Sequence, residues 1–430
     1  MTRARDLADY ISTGVSDTEL DVLDGVTAGT VTASKALVVD ANKDVASLRN
    51  ATLTGTATIN TLAVDSGTIK LDGNYPTGTN NVALGSQALD DGSLSGASNV
   101  AIGFNALTIN TSGASNTSVG TLTLDANTTG GSNVALGYAA LSANTTASNN
   151  VAIGTNALTS NTTGANNVAL GHSAGTAITT GLRNTLIGSV AGDALTDADY
   201  NVAVGSHSLS SDTLGSKSTA VGYTALFSQN FTSATDSHNV AVGYEAGLSV
   251  TTGINNVLIG SLAGDALTDA DNNVAIGKSA LSADTLGSNS TAIGRKALGA
   301  QNFTSATDVY NTAVGAFAGE AVTTGESNNL IGGLAGDALT TGSFNTAIGV
   351  VSLSTDTKGS RAIAIGHGAL LNQNFTSATD NYNIAIGHNA GLSVTTGDQN
   401  TFVGGLSGDA NTTGRNNAAF GYFSLSSNTT

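Results

Sequence analysis

The sequence predicts an all-β fold, a solenoid of about 20 turns. First, a five-residue phrase of the type Asn-Val-Ala-Ile-Gly recurs 20 times, from Asn81-Val82-Ala83-Leu84-Gly85 to Asn417-Ala418-Ala419-Phe420-Gly421. Second, the glycines closing the copies are spaced 17 residues apart fifteen times, 18 once and 21 three times. A period of this regularity marks stacked structural repeats. Third, the fourth position of the phrase is apolar in all 20 copies and the third is usually alanine. Alternate residues of a strand point to opposite faces, so each short strand is apolar on both.

Residues 1–12 read as a short amphipathic helix with Leu7, Tyr10 and Ile11 at helical spacing. The acidic, leucine-bearing stretch Thr18 to Ala28 follows, and 1–28 is taken as one N-terminal segment. Residues 29–77 carry short Thr/Val/Ala runs such as Ala36-Leu37-Val38-Val39 and Gly67-Thr68-Ile69-Lys70-Leu71. Each is too short to form a core alone, which predicts a slender shaft in which several chains wrap together. Pro76, the sole proline, marks the boundary to the array over 78–430.

Within the array, side-chain volume predicts which face is inside. The third position is large in four copies spaced 72 residues apart, Leu186, Leu258, Leu330 and Phe402. In those copies the residue four after the closing glycine is Gly192, Gly264, Gly336 or Gly408, where many copies have leucine, such as Leu89 and Leu141. Large exchanged for small indicates one packed interior. The alanine column is therefore assigned inward and the Val/Ile column outward. A single coil has only one interior, so the outer column needs a cover, most simply another copy of the chain. Val100, Ile102, Val151, Ile153, Val274, Ile276, Ile384 and Ile386 are the candidate interface residues.

Closing glycines are expected at φ > 0, and the leading asparagines at left-handed corners, hydrogen-bonded as a ladder. Asparagine leads 17 phrases; the exceptions are Ser218, Ser290 and Ala362, also 72 apart. Each precedes a 21-residue gap holding Gln-Asn-Phe-Thr-Ser-Ala-Thr-Asp, at 229–236, 301–308 and 373–380. The longer gaps are expected to project as loops centred on Phe231, Phe303 and Phe375, the candidate receptor contacts.

The phrase, as in Asn99-Val100-Ala101-Ile102-Gly103 and Asn150-Val151-Ala152-Ile153-Gly154, resembles the head repeat of trimeric autotransporter adhesins. That resemblance implies a left-handed parallel β-roll with three chains about one axis. It covers the array, but the turns are longer than that family's usual period, and no export signal or membrane anchor accompanies them. The front end, Thr18 to Ala28 and Thr32 to Asp40, resembles recurring phrases of bacteriophage tail fibres and related virion proteins. This implies attachment to other virion proteins through the N-terminus, with Arg3, Arg5, Leu7, Tyr10 and Ile11 as candidate contacts, and a location on the virion. Such fibres often carry a C-terminal chaperone domain that is removed, so further residues beyond Thr430 are expected.

Composition closes several function classes. The net charge is −17, and no lysine or arginine lies between Lys70 and Arg183, which excludes a nucleic-acid-binding face. The same balance disfavours an anionic membrane surface, and no apolar run approaches the roughly 20 residues of a membrane span. Residues 7–11 do not form the apolar core of a secretory signal. Without cysteine there is no disulfide or thiolate metal site. Glycine without a three-residue period excludes collagen, and 40% hydrophobic residues argue against disorder.

No catalytic constellation stands out: no nucleophile elbow, triad context or identifiable carboxylate pair. No cofactor is expected. His172, His367 and His388 each follow a closing glycine, and the last two are placed to stack on successive turns without further metal ligands. The acidic loops 193–199 and 265–271 lack the spacing of known calcium loops. Thr-Thr-Gly recurs at turns and not on one flat strand face. The expected function is therefore mechanical, a homotrimeric phage fibre carrying host-recognition elements. A bacterial surface adhesin and a glycan-cleaving tail spike are the alternatives, each meeting a host receptor or glycan.

Overall fold

The computed structural model describes residues 79–430. The segment 1–28 with its attachment candidates Arg3, Arg5, Leu7, Tyr10 and Ile11, and the whole of the shaft 29–77, lie outside the described residues. Within 79–430 the chain is an all-β solenoid without a helix. Each phrase supplies one three-residue strand, the first Val82–Leu84 and the last Ala418–Phe420, and all 20 form one parallel sheet. Every strand pairs with the next along the chain, position for position, as in Val257↔Val274, Leu258↔Ala275 and Ile259↔Ile276. At about 4.8 Å per turn, 20 turns extend roughly 95 Å.

Both column assignments hold within the chain. The third-position side chains, such as Ala101, Ala152 and Ala275, are wholly buried, whereas the flanking positions are half-buried or exposed. The rest of the core comes from the turn after the strand: a buried alanine three residues past the glycine and, in most turns, leucine at the fourth. Where that fourth residue is glycine, a large neighbour fills the space. A Cβ on Gly264 would lie 2.7 Å from Leu258 Cδ2, and one on Gly408 would lie 2.5 Å from the Phe402 ring. The large residue also lies over the preceding turn: Leu258 Cδ1 is 2.7 Å from a Cβ on Gly247, and Leu186 Cδ1 the same distance from one on Gly175. Each plug therefore needs two glycines, one on either turn.

Closing glycines have φ of 114–143°, a region that residues with side chains rarely adopt, and all but the last, Gly421, sit directly against the glycine of the next turn. The left-handed corner corrects the expectation for asparagine. Positive φ falls on the residue before the leading asparagine, for instance Ser98 (60°), Tyr200 (59°) and Asn272 (59°). Leucines also adopt it, including Leu107 (52°) and Leu281 (52°). This geometry costs a β-carbon residue about 1 kcal/mol. It is offset by burying the leucine and by inter-turn bonds such as Leu107 N–H to the Thr123 carbonyl at 3.0 Å.

The leading asparagines form the ladder expected of them. Asn256 Oδ1 accepts from the Asn273 backbone N–H at 2.9 Å, and Asn256 Nδ2 donates to the Ala270 carbonyl at 2.7 Å. A second, shorter ladder runs through Asn110, Asn127, Asn144 and Asn161, joined by side-chain amides. Threonines form a third: Thr111, Thr128, Thr145, Thr162 and Thr179 each donate a hydroxyl to the carbonyl of the next threonine. The amide ladders are buried, so removing a rung strands polar groups away from water. Asn256→Ala is expected to cost about 2–6 kcal/mol, since two buried partners lose their bonds at about 1–3 kcal/mol each; chemical denaturation measures it. Nature makes the equivalent replacement at Ala362, where the Asn383 N–H turns instead to Asn381 Oδ1 at 2.9 Å.

Candidate functional site

Two surfaces are built by the repeat. The first is the outer face of the sheet. Val100, Ile102, Val151, Ile153, Val274, Ile276 and Ile384 are half-buried in the single chain, and Ile386 is exposed. Leu84, Leu136, Leu170, Ile259, Ile331, Ile348 and Phe420 are exposed along the same face. No charged residue occurs in either outward column over all 20 strands. An uninterrupted uncharged face of this length exceeds what scattered surface hydrophobes account for.

The second surface is the set of longer loops, and here the structure corrects the sequence reading. Phe231, Phe303 and Phe375 are only 6–7% exposed and cannot serve as projecting contacts. Phe231 packs on Gly215, where a Cβ would lie 2.7 Å from its ring. Its backbone N–H donates to Asp212 Oδ1 at 3.0 Å, as does the Gly215 N–H. Gly215–Ser216 then pairs in parallel with Thr235–Asp236, closing the insertion as a small two-stranded side sheet. The exposed tip is Thr232, Ser233 and Ala234, with Thr304–Ala306 and Thr376–Ala378 equivalent.

The anchor of each loop is a buried polar network. Gln229 Nε2 donates to Asp212 Oδ2 at 2.6 Å and to Ser218 Oγ at 2.8 Å, while Gln229 Oε1 accepts from Asn239 Nδ2 at 2.9 Å. Asp284 with Gln301 and Asp356 with Gln373 repeat it, the last without the serine because Ala362 stands there. Burial pushes the Asp356 carboxyl up, opposed by hydrogen bonds from Gln373 and the backbone N–H groups of Phe375, Gly359 and Lys358. A signal for this was present in the sequence. Asp and Gln occupy, at 72-residue intervals, the column that elsewhere holds inward Asn, Leu or Val.

The remaining sequence candidates fall on the surface. His367 and His388 stack with ring centroids 5.4 Å apart and 12° between planes, and His172 is exposed on its own turn. In the acidic loops, Asp197 and Asp199 accept from the Thr180 hydroxyl and the Leu182 N–H of the preceding turn. Asp269 and Asp271 do the same with Thr252 and Ile254. These carboxylates tie turns together. Among the described residues no group of three or more His, Cys, Asp or Glu is placed to hold a metal ion.

One further column is electrostatically unusual. Asp193, Asp265, Asp337 and Asp409 recur every 72 residues, each with a buried Oδ1 lacking a hydrogen-bond partner. Burial, and then the nearby Glu245, push Asp265 up; burial does the same for Asp337, against a hydrogen bond from Ser354. A carboxyl raised on folding favours the fold when protonated, and that contribution is lost as pH rises through its folded value. Asp265→Asn is therefore expected to raise the melting temperature at pH 7. The gain should vanish below pH ~4, where the native aspartate is itself neutral.

Compared with known proteins, the chain matches no family model, no curated protein and no solved structure.

Proposed function

We propose that this chain is a structural component of a bacteriophage fibre, attached by its N-terminus and projecting a rigid trimeric rod toward the host surface. The observation that supports this reading most is the outer sheet face, which carries no charge along all 20 strands, with one of its two columns apolar throughout and the other made mainly of Val, Ile and Thr. Two further copies of the chain would cover it by the same contacts, rung on rung. The buried amide ladders and in-register stacking suit a stiff spacer, since each turn is bonded to both neighbours. No enzymatic step or cofactor is invoked. The test is immunogold electron microscopy of a phage lysate, with antibody raised against the purified protein. Label on filamentous projections of phage particles is expected; label on bacterial envelopes in uninfected culture would instead establish the surface-adhesin reading.

A further inference from the structure

The array is so regular that its breaks are informative, and the largest break lies in the middle of the three 72-residue units. In the first unit, Phe227 and Leu248 stand on successive turns at the fifth residue past the glycine; in the third, Leu371 and Leu392 do. Their backbones are joined directly, Ser228 N–H to the Leu248 carbonyl and Asn372 N–H to the Leu392 carbonyl. In the middle unit the same two places hold Gly299 and Glu320. Beside them, the first unit stacks Tyr223 on Tyr244 (5.7 Å) and the third stacks His367 on His388 (5.4 Å). The middle unit has Arg295 and Ala316 instead.

Here the middle unit has a cleft of about 260 Å³ lined by Ser279, Ser282, Lys296, Gly299, Ala300 and Glu320. Lys296 lines it, and Lys278 and Arg295 are the chain neighbours of the lining residues Ser279 and Lys296, in a chain whose net charge is −17. All three are exposed, and the Lys296 N–H bonds the Lys278 carbonyl, so they occupy adjoining positions on two turns. Lys296 Nζ is 2.9 Å from Glu320 Oε1, which neutralises the carboxylate in the lining. Arg295 lies 4.3 Å over the Phe317 ring, a contact that orients the guanidinium without consuming its charge. Hydroxyls and a paired carboxylate inside, with surplus positive charge at the edge, match a ligand carrying one anionic group and several hydroxyls.

We infer that this cleft binds an acidic sugar residue. Its carboxylate or sulfate is met by Lys278 and Arg295, and its hydroxyls by Ser279, Ser282 and Glu320. The inference rests on reading the rod as a host-recognition fibre, and it places recognition on the flank of the rod.

Saturation-transfer NMR on the full chain tests it, with glucuronic acid, galactose 6-sulfate and neutral galactose as probes. At least one acidic sugar should bind, neutral galactose at least tenfold more weakly, and the response should fall as salt rises. Gly299→Leu installs the residue found at the equivalent Leu371 and should abolish binding while leaving the melting temperature unchanged. The double variant Lys278→Ser, Arg295→Tyr, which copies Ser206 and Tyr223 of the first unit, should weaken binding at least tenfold without filling the cleft. Failure of both acidic sugars to bind would overturn the inference, as would binding that survives Gly299→Leu. Either result, with particle labelling intact, leaves the fibre reading standing. Envelope labelling with sugar binding intact would remove the fibre reading alone.

Discussion

Gly260→Ala is expected to break the array between two turns, at a cost of about 4 kcal/mol or more. Gly260 sits at φ 131°, which L side chains rarely adopt, and a Cβ there would lie 2.7 Å from both the carbonyl carbon and oxygen of Gly277. Neither obstacle yields to a side-chain rotation, because the obstructing atoms belong to the next turn's backbone. Relief would require the turns to separate, losing bonds such as Gly277 N–H to the Ile259 carbonyl at 2.7 Å. Solenoid stability is built from contacts between neighbouring repeats, so the damage should stay local. Hydrogen exchange should show the turns closed by Gly243, Gly260 and Gly277 deprotected while distant turns keep their protection. Gly92 is the control: it has no left-handed φ and nothing within 4 Å of an added Cβ, so Gly92→Ala should shift stability by less than about 0.5 kcal/mol.

The second large effect is in the core. Leu258→Ala should cost about 3–5 kcal/mol, because Leu258 fills the space over both Gly247 and Gly264 and neither glycine has a side chain to replace it. Gly264→Leu should also destabilise, by about 1–3 kcal/mol, since its Cβ would meet Leu258 at 2.7 Å and Leu267 at 2.8 Å. The backbone is not the obstacle. Gly264 has φ 55° and Leu281, in the corresponding place one turn later, has 52°. Combining Leu258→Ala with Gly247→Leu and Gly264→Leu restores alanine and leucine to the two columns and should recover part of the loss, the rest remaining because Val250 and Leu267 stand where most leucine-bearing turns have Asn, Asp or Gln. A triple variant as unstable as the sum of its parts would mean the columns do not share one interior.

That exchange was legible in the sequence because it is a matter of volume, and volume is written in residue type. The Leu258–Gly264 pair alone places the alanine column inside. Its other half, Gly247, was not legible from spacing within one turn, because the plug reaches across to the turn before. The left-handed leucines were hidden for a different reason. Leucine has no preference for that region, and only the tertiary burial of Leu107 or Leu281 holds it there. The loop phenylalanines misled because an insertion in a regular array is naturally read as a projection. Asp212 binds the backbone at Phe231, and Gly215 leaves room for its ring, so the insertion folds back with its polar tip outward. Of the candidate interaction sites, the uncharged outer columns followed directly from the repeat. The middle-unit cleft did not, since its place is marked only by comparison between units, Gly299 standing where the others have Phe227 and Leu371.

The central claim is that Val and Ile on the outer face are buried between copies of the chain. Sedimentation equilibrium of the purified protein over a wide concentration range tests this most directly. The predicted result is a single species of three times the 42.2 kDa chain mass, persisting on dilution. A stable monomer at the same concentrations would contradict it, leaving a solenoid whose outer columns face water.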